Sequence, residues 1–82
     1  MFHTYILKSK NYKRHYIGST SGLENRLDEH NRGKVKSTKA YKPWEIIYTE
    51  VYNTKKEAYK RELEIKAMKG GIQFKSLIRR VG

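Results

Sequence analysis

Five residues carry side chains suited to chemistry on a phosphate ester: Tyr5, Tyr16, Arg26, His30 and Glu62. A phenol can act as a general base when a nearby cation lowers its pKa. A guanidinium presents a planar fork of donors to a phosphate. An imidazole can donate to a phosphate oxygen or orient a phenol. A carboxylate, helped by water and by the substrate's own phosphate, can hold one Mg²⁺ ion. Three of the five lie in one stretch, HYIGSTSGLENRLDEH, which reads as strand, turn and helix.

The elements that must position these groups follow from local pattern. Phe2 to Lys8 is rich in β-formers and reads as a first strand; SKNYKR after it reads as a short loop. His15 to Ser19 is then a second strand, antiparallel to the first because the connection is short. Ser21 and Glu24 have capping-box spacing, so a helix is expected from Leu23 to about Asn31, ended by Gly33. Its apolar stripe is Leu23 and Leu27, with Arg26 and His30 on the stripe beside it. Arg32 to Lys42 reads as a basic loop whose Lys34, Lys36, Lys39 and Lys42 could face a phosphate backbone. A third strand is expected over Trp44–Val51. Thr54 and Glu57 form a second capping box, opening a helix to about Lys69 that Gly70-Gly71 stops. Phe74 to Arg80 reads as a short last helix. The order is strand, strand, helix, strand, helix, helix, an α+β arrangement with an antiparallel or mixed sheet.

Each candidate also has an ordinary reading. Tyr5 and Tyr16 are two of seven tyrosines and could be core aromatics on one face of a hairpin. Gly18 marks either a bulge or a place where another group approaches closely. A helix arginine is ordinarily solvated, and a histidine near a helix end is ordinarily a cap or a surface residue. Glu62 shares a helix face with Ala58 and Ile65, so it is expected to be at least half-buried. A buried carboxylate needs a partner: in a basic chain an arginine is the ordinary one, and a single Mg²⁺ ion the functional one.

Composition narrows the classes. The 82 residues fit one domain with a modest core. Nineteen Lys/Arg against eight Asp/Glu give a net charge of +11, which favours a polyanionic partner, nucleic acid first. No strongly amphipathic basic helix favours a lipid surface instead. The chain has no cysteine, so disulfides and thiolate metal sites are excluded; this fits a cytoplasmic protein. The apolar part of MFHTYILK is too short for a signal peptide, and no run is long enough for a membrane span, so a soluble protein is expected. Phosphate-binding loops, zinc patterns and nucleophile elbows are all missing.

Taken in order, these residues resemble the GIY-YIG nuclease superfamily, in particular its small stand-alone bacterial members. Tyr16-Ile17-Gly18 matches the second half of the motif; His3-Thr4-Tyr5 stands where the first half would be, with only the tyrosine kept. The family's helix arginine falls on Arg26, its following histidine on His30 and its metal-binding glutamate on Glu62. The resemblance covers about residues 2–69. It implies a three-stranded antiparallel sheet flanked by helices and a single domain over 1–82. It also implies an endonuclease that hydrolyses DNA phosphodiester bonds with one Mg²⁺ or Mn²⁺ ion, in DNA repair or recombination. Tyr5 and Tyr16 would be base candidates, Arg26 would stabilise phosphorane-like charge, Glu62 would hold the metal and His30 would assist by hydrogen bonding or proton transfer.

This chain departs from the pattern at two places. His3 replaces the first glycine, and residues 70–82 hold no asparagine where many members carry one, leaving Gln73 as the nearest substitute. A nucleic-acid-binding module that does not cut, or an adaptor that docks an acidic protein, are therefore the alternatives to a nuclease. No appended DNA-binding domain is visible, so cutting would be weakly sequence-selective, directed to a DNA structure, or steered by a protein partner.

Overall fold

The computed structural model describes residues 1–79. Its centre is β1 (Phe2–Ser9), which pairs antiparallel with β2 (His15–Thr20) on one side and β3 (Trp44–Tyr52) on the other. The sheet order is β2-β1-β3, so the sheet is wholly antiparallel and β2 is an edge strand. Helices cover both faces, which is why Thr4, Tyr5, Ile6 and Leu7 are buried in unbroken succession rather than alternately. A bulge between Ile6 and Leu7 shifts the pairing with β3.

Tyr5, Leu7 and Trp44 face α1 (Leu23–Asn31), whose Leu23 and Leu27 pack against them as expected. On the opposite face, Ile6 and Ile17 meet Ile65 of α2 (Lys55–Met68) and Phe74 and Leu77 of α3 (Ile72–Arg79). Thr4 ties β1 to α2 by donating to the Ala58 carbonyl at 2.7 Å. Arg61 clasps α2 to β3 through both oxygens of Glu50, at 2.9 and 3.2 Å. Among the described residues no helix is long and apolar enough to cross a membrane.

The helix ends show where local chemistry did and did not decide the structure. Gly33, at φ 77°, ends α1: its N–H reaches the His30 carbonyl, and the Lys34 N–H reaches that of Glu29. Thr54 caps α2, accepting from the Glu57 N–H as its spacing predicts. Ser21 does not cap α1. The N-cap is Gly22, without a side-chain bond, and the neighbouring Thr20 hydroxyl accepts from the Gly22 N–H instead. The last helix begins at Ile72, two residues earlier than expected, and its expected end at Arg80 lies outside the described residues. The basic stretch after α1 is also more ordered than a loop. It contains a 3₁₀ turn, Lys39–Tyr41, and turns Thr38 fully inward.

Candidate active site

The antiparallel register pairs Tyr5 with Gly18 and Leu7 with Tyr16, so both tyrosines lie on the α1 face. Their ring centroids are 6.3 Å apart. Gly18 leaves room for this arrangement. A β-carbon there would fall 2.6 Å from the Tyr5 hydroxyl and 3.1 Å from the Tyr16 ring. The close approach suggested by this glycine is therefore that of the Tyr5 ring.

The two phenols occupy different environments. Tyr5 is 1% exposed, whereas Tyr16 is half-buried and its hydroxyl has no hydrogen-bond partner among the described residues. Burial pushes the Tyr5 phenol up to about 12, despite the downward pull of the Arg26 guanidinium. Tyr5 is thus a neutral hydrogen-bond donor at ordinary pH.

Its partner is His30, 3.1 Å away through Nε2. His30 is not the surface or capping histidine that its position on a short helix suggests. It is 0% exposed, and its ring also packs 4.8 Å from that of Tyr16. On the other side of the imidazole, Nδ1 lies 2.7 Å from the Thr38 hydroxyl, which itself donates to the Val35 carbonyl. Thr38 must therefore accept the Nδ1 proton, which leaves the Nε2 lone pair to accept from Tyr5. Burial and the Arg26 charge lower His30 to about 4, keeping the ring neutral. Thr38 was not among the sequence candidates. It lies in a lysine-rich stretch, and nothing in its local pattern marks it as buried.

Arg26 stands at the solvent side of this group, its side chain about a third exposed and held by Glu29 at 3.1 Å. One guanidinium branch is engaged there, and other donors remain for an incoming anion.

Glu62 lies in the opposite layer, on α2, against Ser19 of the β2 edge strand, and its charge acts on the Tyr5 phenol. Glu62 is 8% exposed; it accepts from the Ser19 hydroxyl and from Lys66 Nζ, each at 2.7 Å. The partner is thus a lysine and a serine rather than an arginine. Lys66 could have been found from its i,i+4 spacing to Glu62. Ser19 could not, because its contact crosses 43 positions of sequence. The hydrogen bond to Glu62 raises the Lys66 ammonium above its usual range.

Among the described residues, no three His, Cys, Asp or Glu groups converge. The site fits an ion of a different kind. A single buried carboxylate already accommodates one positive charge, so a divalent ion could bind there with water and substrate oxygens completing its shell. Lys66, which holds the second carboxylate oxygen, is half exposed.

Other sequence candidates lie apart. Lys34, Lys36, Lys39 and Lys42 are exposed after α1, and Lys39 and Lys42 pack beside Gly33. They lie at the end of the molecule where Tyr41 contacts Tyr12 and Arg14 of the β1–β2 loop. Gln73 is exposed on α3 near Arg61 and Met68, outside the tyrosine cluster. His3, in place of the motif glycine, is half-buried opposite Thr20, and its Nδ1 is buried without a partner.

The chain has clear relatives. It is 43% identical over 63 residues to a UPF0213 protein of Staphylococcus saprophyticus, covering 76% of each chain. A UPF0213 protein of Staphylococcus aureus is 46% identical over 52 residues; the match spans 62% of this chain and 63% of that relative's length. The solution structure of a UPF0213 protein from Bacillus halodurans is similar at 28% identity and a TM-score of 0.47, over 93% of this chain and 94% of that one. The family model of the GIY-YIG catalytic domain matches residues 1–71, and this protein therefore belongs to the GIY-YIG family.

Proposed function

We propose that this protein is a metal-dependent endonuclease that hydrolyses DNA phosphodiester bonds, acting in the cytoplasm in DNA repair or recombination. The observation that carries the reading is the cluster of Tyr5, Tyr16 and the buried His30 beside Arg26 on one face of β2, with the buried Glu62 carboxylate bonded to Ser19 on the other face of the same edge strand.

The environments divide the work between the phenols. Tyr16, with its unengaged hydroxyl at the site's edge, is the base candidate that a water can reach. Tyr5 is the inner member; it holds its proton toward His30 Nε2 and fixes the packing around Tyr16. His30 serves as a neutral acceptor oriented by Thr38. Arg26 offers its free donors to the phosphoryl oxygens as charge builds in the transition state. Glu62, steadied by Ser19, would hold one Mg²⁺ or Mn²⁺ ion, which when bound neutralises the leaving oxygen. Lys34, Lys36, Lys39 and Lys42 supply positive charge for the DNA backbone.

The deciding experiment incubates the protein with supercoiled plasmid and Mg²⁺ or Mn²⁺, alongside EDTA and Glu62→Ala controls. Nicking that both controls remove is the expected result. If plasmid, branched DNA and single strands are bound but all survive intact, the protein is a binding module on a nuclease fold.

A further inference from the structure

Away from the tyrosine cluster, a cleft of about 370 Å³ opens where the start of β2 meets the turn between α2 and α3. Phe74 and Ile78 supply its apolar surface, and His15 lies edge-on to Phe74 with ring centroids 5.2 Å apart. Lys13, Lys69 and Lys75 bring positive charge to it, and among the described residues no carboxylate lines it. Among the described residues none of these three lysines makes an ion pair within 4.0 Å. Lys69 donates to the His15 carbonyl at 2.8 Å, which ties the end of α2 to the beginning of the edge strand.

α2 links the cleft to Glu62. α2 runs alongside β2 in the opposite sense: Glu62 meets Ser19 near the strand's end, and Lys69 meets His15 at its start. Glu62, Lys66 and Lys69 therefore follow one another at i, i+4 and i+7 beside the strand edge. Seven residues of helix span about 10 Å, a distance that one strand of nucleic acid can bridge.

We propose that this cleft is a second nucleic-acid subsite, which receives a single strand of the substrate close to the bond at Glu62. Its lysines contact the backbone, and its apolar surface covers a base. Nucleic acid is the occupant because it combines regular negative charge with flat apolar bases, matching the carboxylate-free cationic rim and the hydrocarbon between its members. The spacing to the scissile bond rests on the nuclease reading above; binding in the cleft does not.

The test measures a labelled single-stranded oligonucleotide binding to the full chain in EDTA across a salt series. Lys69→Gln/Lys75→Gln is compared with Lys56→Gln/Lys60→Gln, which removes equal charge from the far face of α2. The cleft pair should weaken binding about tenfold and flatten the log–log salt slope by about 1.4, with the control pair close to wild type. Equal losses in both pairs would overturn the proposal. So would equally tight binding of an acidic peptide of matched charge. An amide-shift titration of the wild-type chain provides a check that needs no variant: perturbations should cluster at residues 13–15 and 69–75, and their absence there refutes the subsite. If the cleft variants lose binding but no metal ever supports cutting, the nuclease reading fails alone. If the wild type cuts DNA and the cleft variants bind normally, this inference fails alone.

Discussion

The two faces of the sheet are built from different materials. The face toward α2 and α3 is largely hydrocarbon: Ile6, Ile17, Ile65, Phe74 and Leu77. The face toward α1 carries Tyr5 and the buried His30 and Thr38, joined through Tyr5 Oη, His30 Nε2, His30 Nδ1 and Thr38 Oγ1. The first face gains stability from apolar area and tolerates little loss of volume. The second holds its buried Tyr5, His30 and Thr38 through hydrogen bonds, because an unpaired buried donor or acceptor keeps its full desolvation penalty; among the described residues, His3 Nδ1 on this face is the exception. The hydrocarbon face is not purely apolar: Thr4 and Glu62 are buried there too, each with a hydrogen-bond partner.

The contrast can be tested from its largest expected effect downward. Ile65→Ala removes buried volume from the hydrocarbon face and should cost about 2–5 kcal/mol in urea unfolding, a large part of a small domain's stability. A much smaller loss would mean that this layer is loosely packed.

Acid should act through the other face. His30 is lowered to about 4 in the folded protein and returns to about 6.5 in the unfolded chain. Between those values the unfolded chain binds the extra proton, so stability falls as pH drops from 6.5 toward 4, by about 3 kcal/mol over the whole window. His15 is lowered as well, by burial and by Lys8 and Lys69, and adds in the same direction. His30→Gln should flatten most of the pH dependence of the unfolding midpoint. An unchanged slope would show that His30 does not titrate in this way.

Thr38→Val keeps the side-chain shape but leaves the His30 Nδ1 proton without its acceptor, and should cost about 1–3 kcal/mol. On the nuclease reading it also lowers the turnover rate more than substrate affinity, because the imidazole loses its fixed orientation.

The smallest effects compare the two helix starts. Thr54→Ala should cost about 1 kcal/mol by removing the α2 cap, whereas Ser21→Ala should stay within about 0.5 kcal/mol because Ser21 caps nothing. Equal costs would erase the distinction between these two ends.

Much of this could be read along the chain. The α1 bounds, the Gly33 stop, the Thr54 cap and the burial of Glu62 beside Ala58 and Ile65 all follow from spacing and local chemistry. The five candidate residues were legible for a related reason: their side-chain types are uncommon in combination, and their order along the chain matches a family. Local pattern misled at Ser21, where the chain's path into α1 gives Thr20 the hydrogen bond instead.

By itself the sequence determined the element types, the positive charge and which side chains have the chemistry a phosphate ester would need, because these depend on composition and on neighbours a few positions away. Only the tertiary structure decided the β2-β1-β3 order, which makes β2 an edge strand, and set Glu62 against its Ser19. It alone separated a sealed Tyr5 from an accessible Tyr16, turned Thr38 inward to fix the His30 tautomer, and set Lys69 against His15. These outcomes depend on contacts across 8, 43 and 54 positions and on which groups are shielded from water. Desolvation is a property of the assembled layers, and no stretch of chain carries it alone.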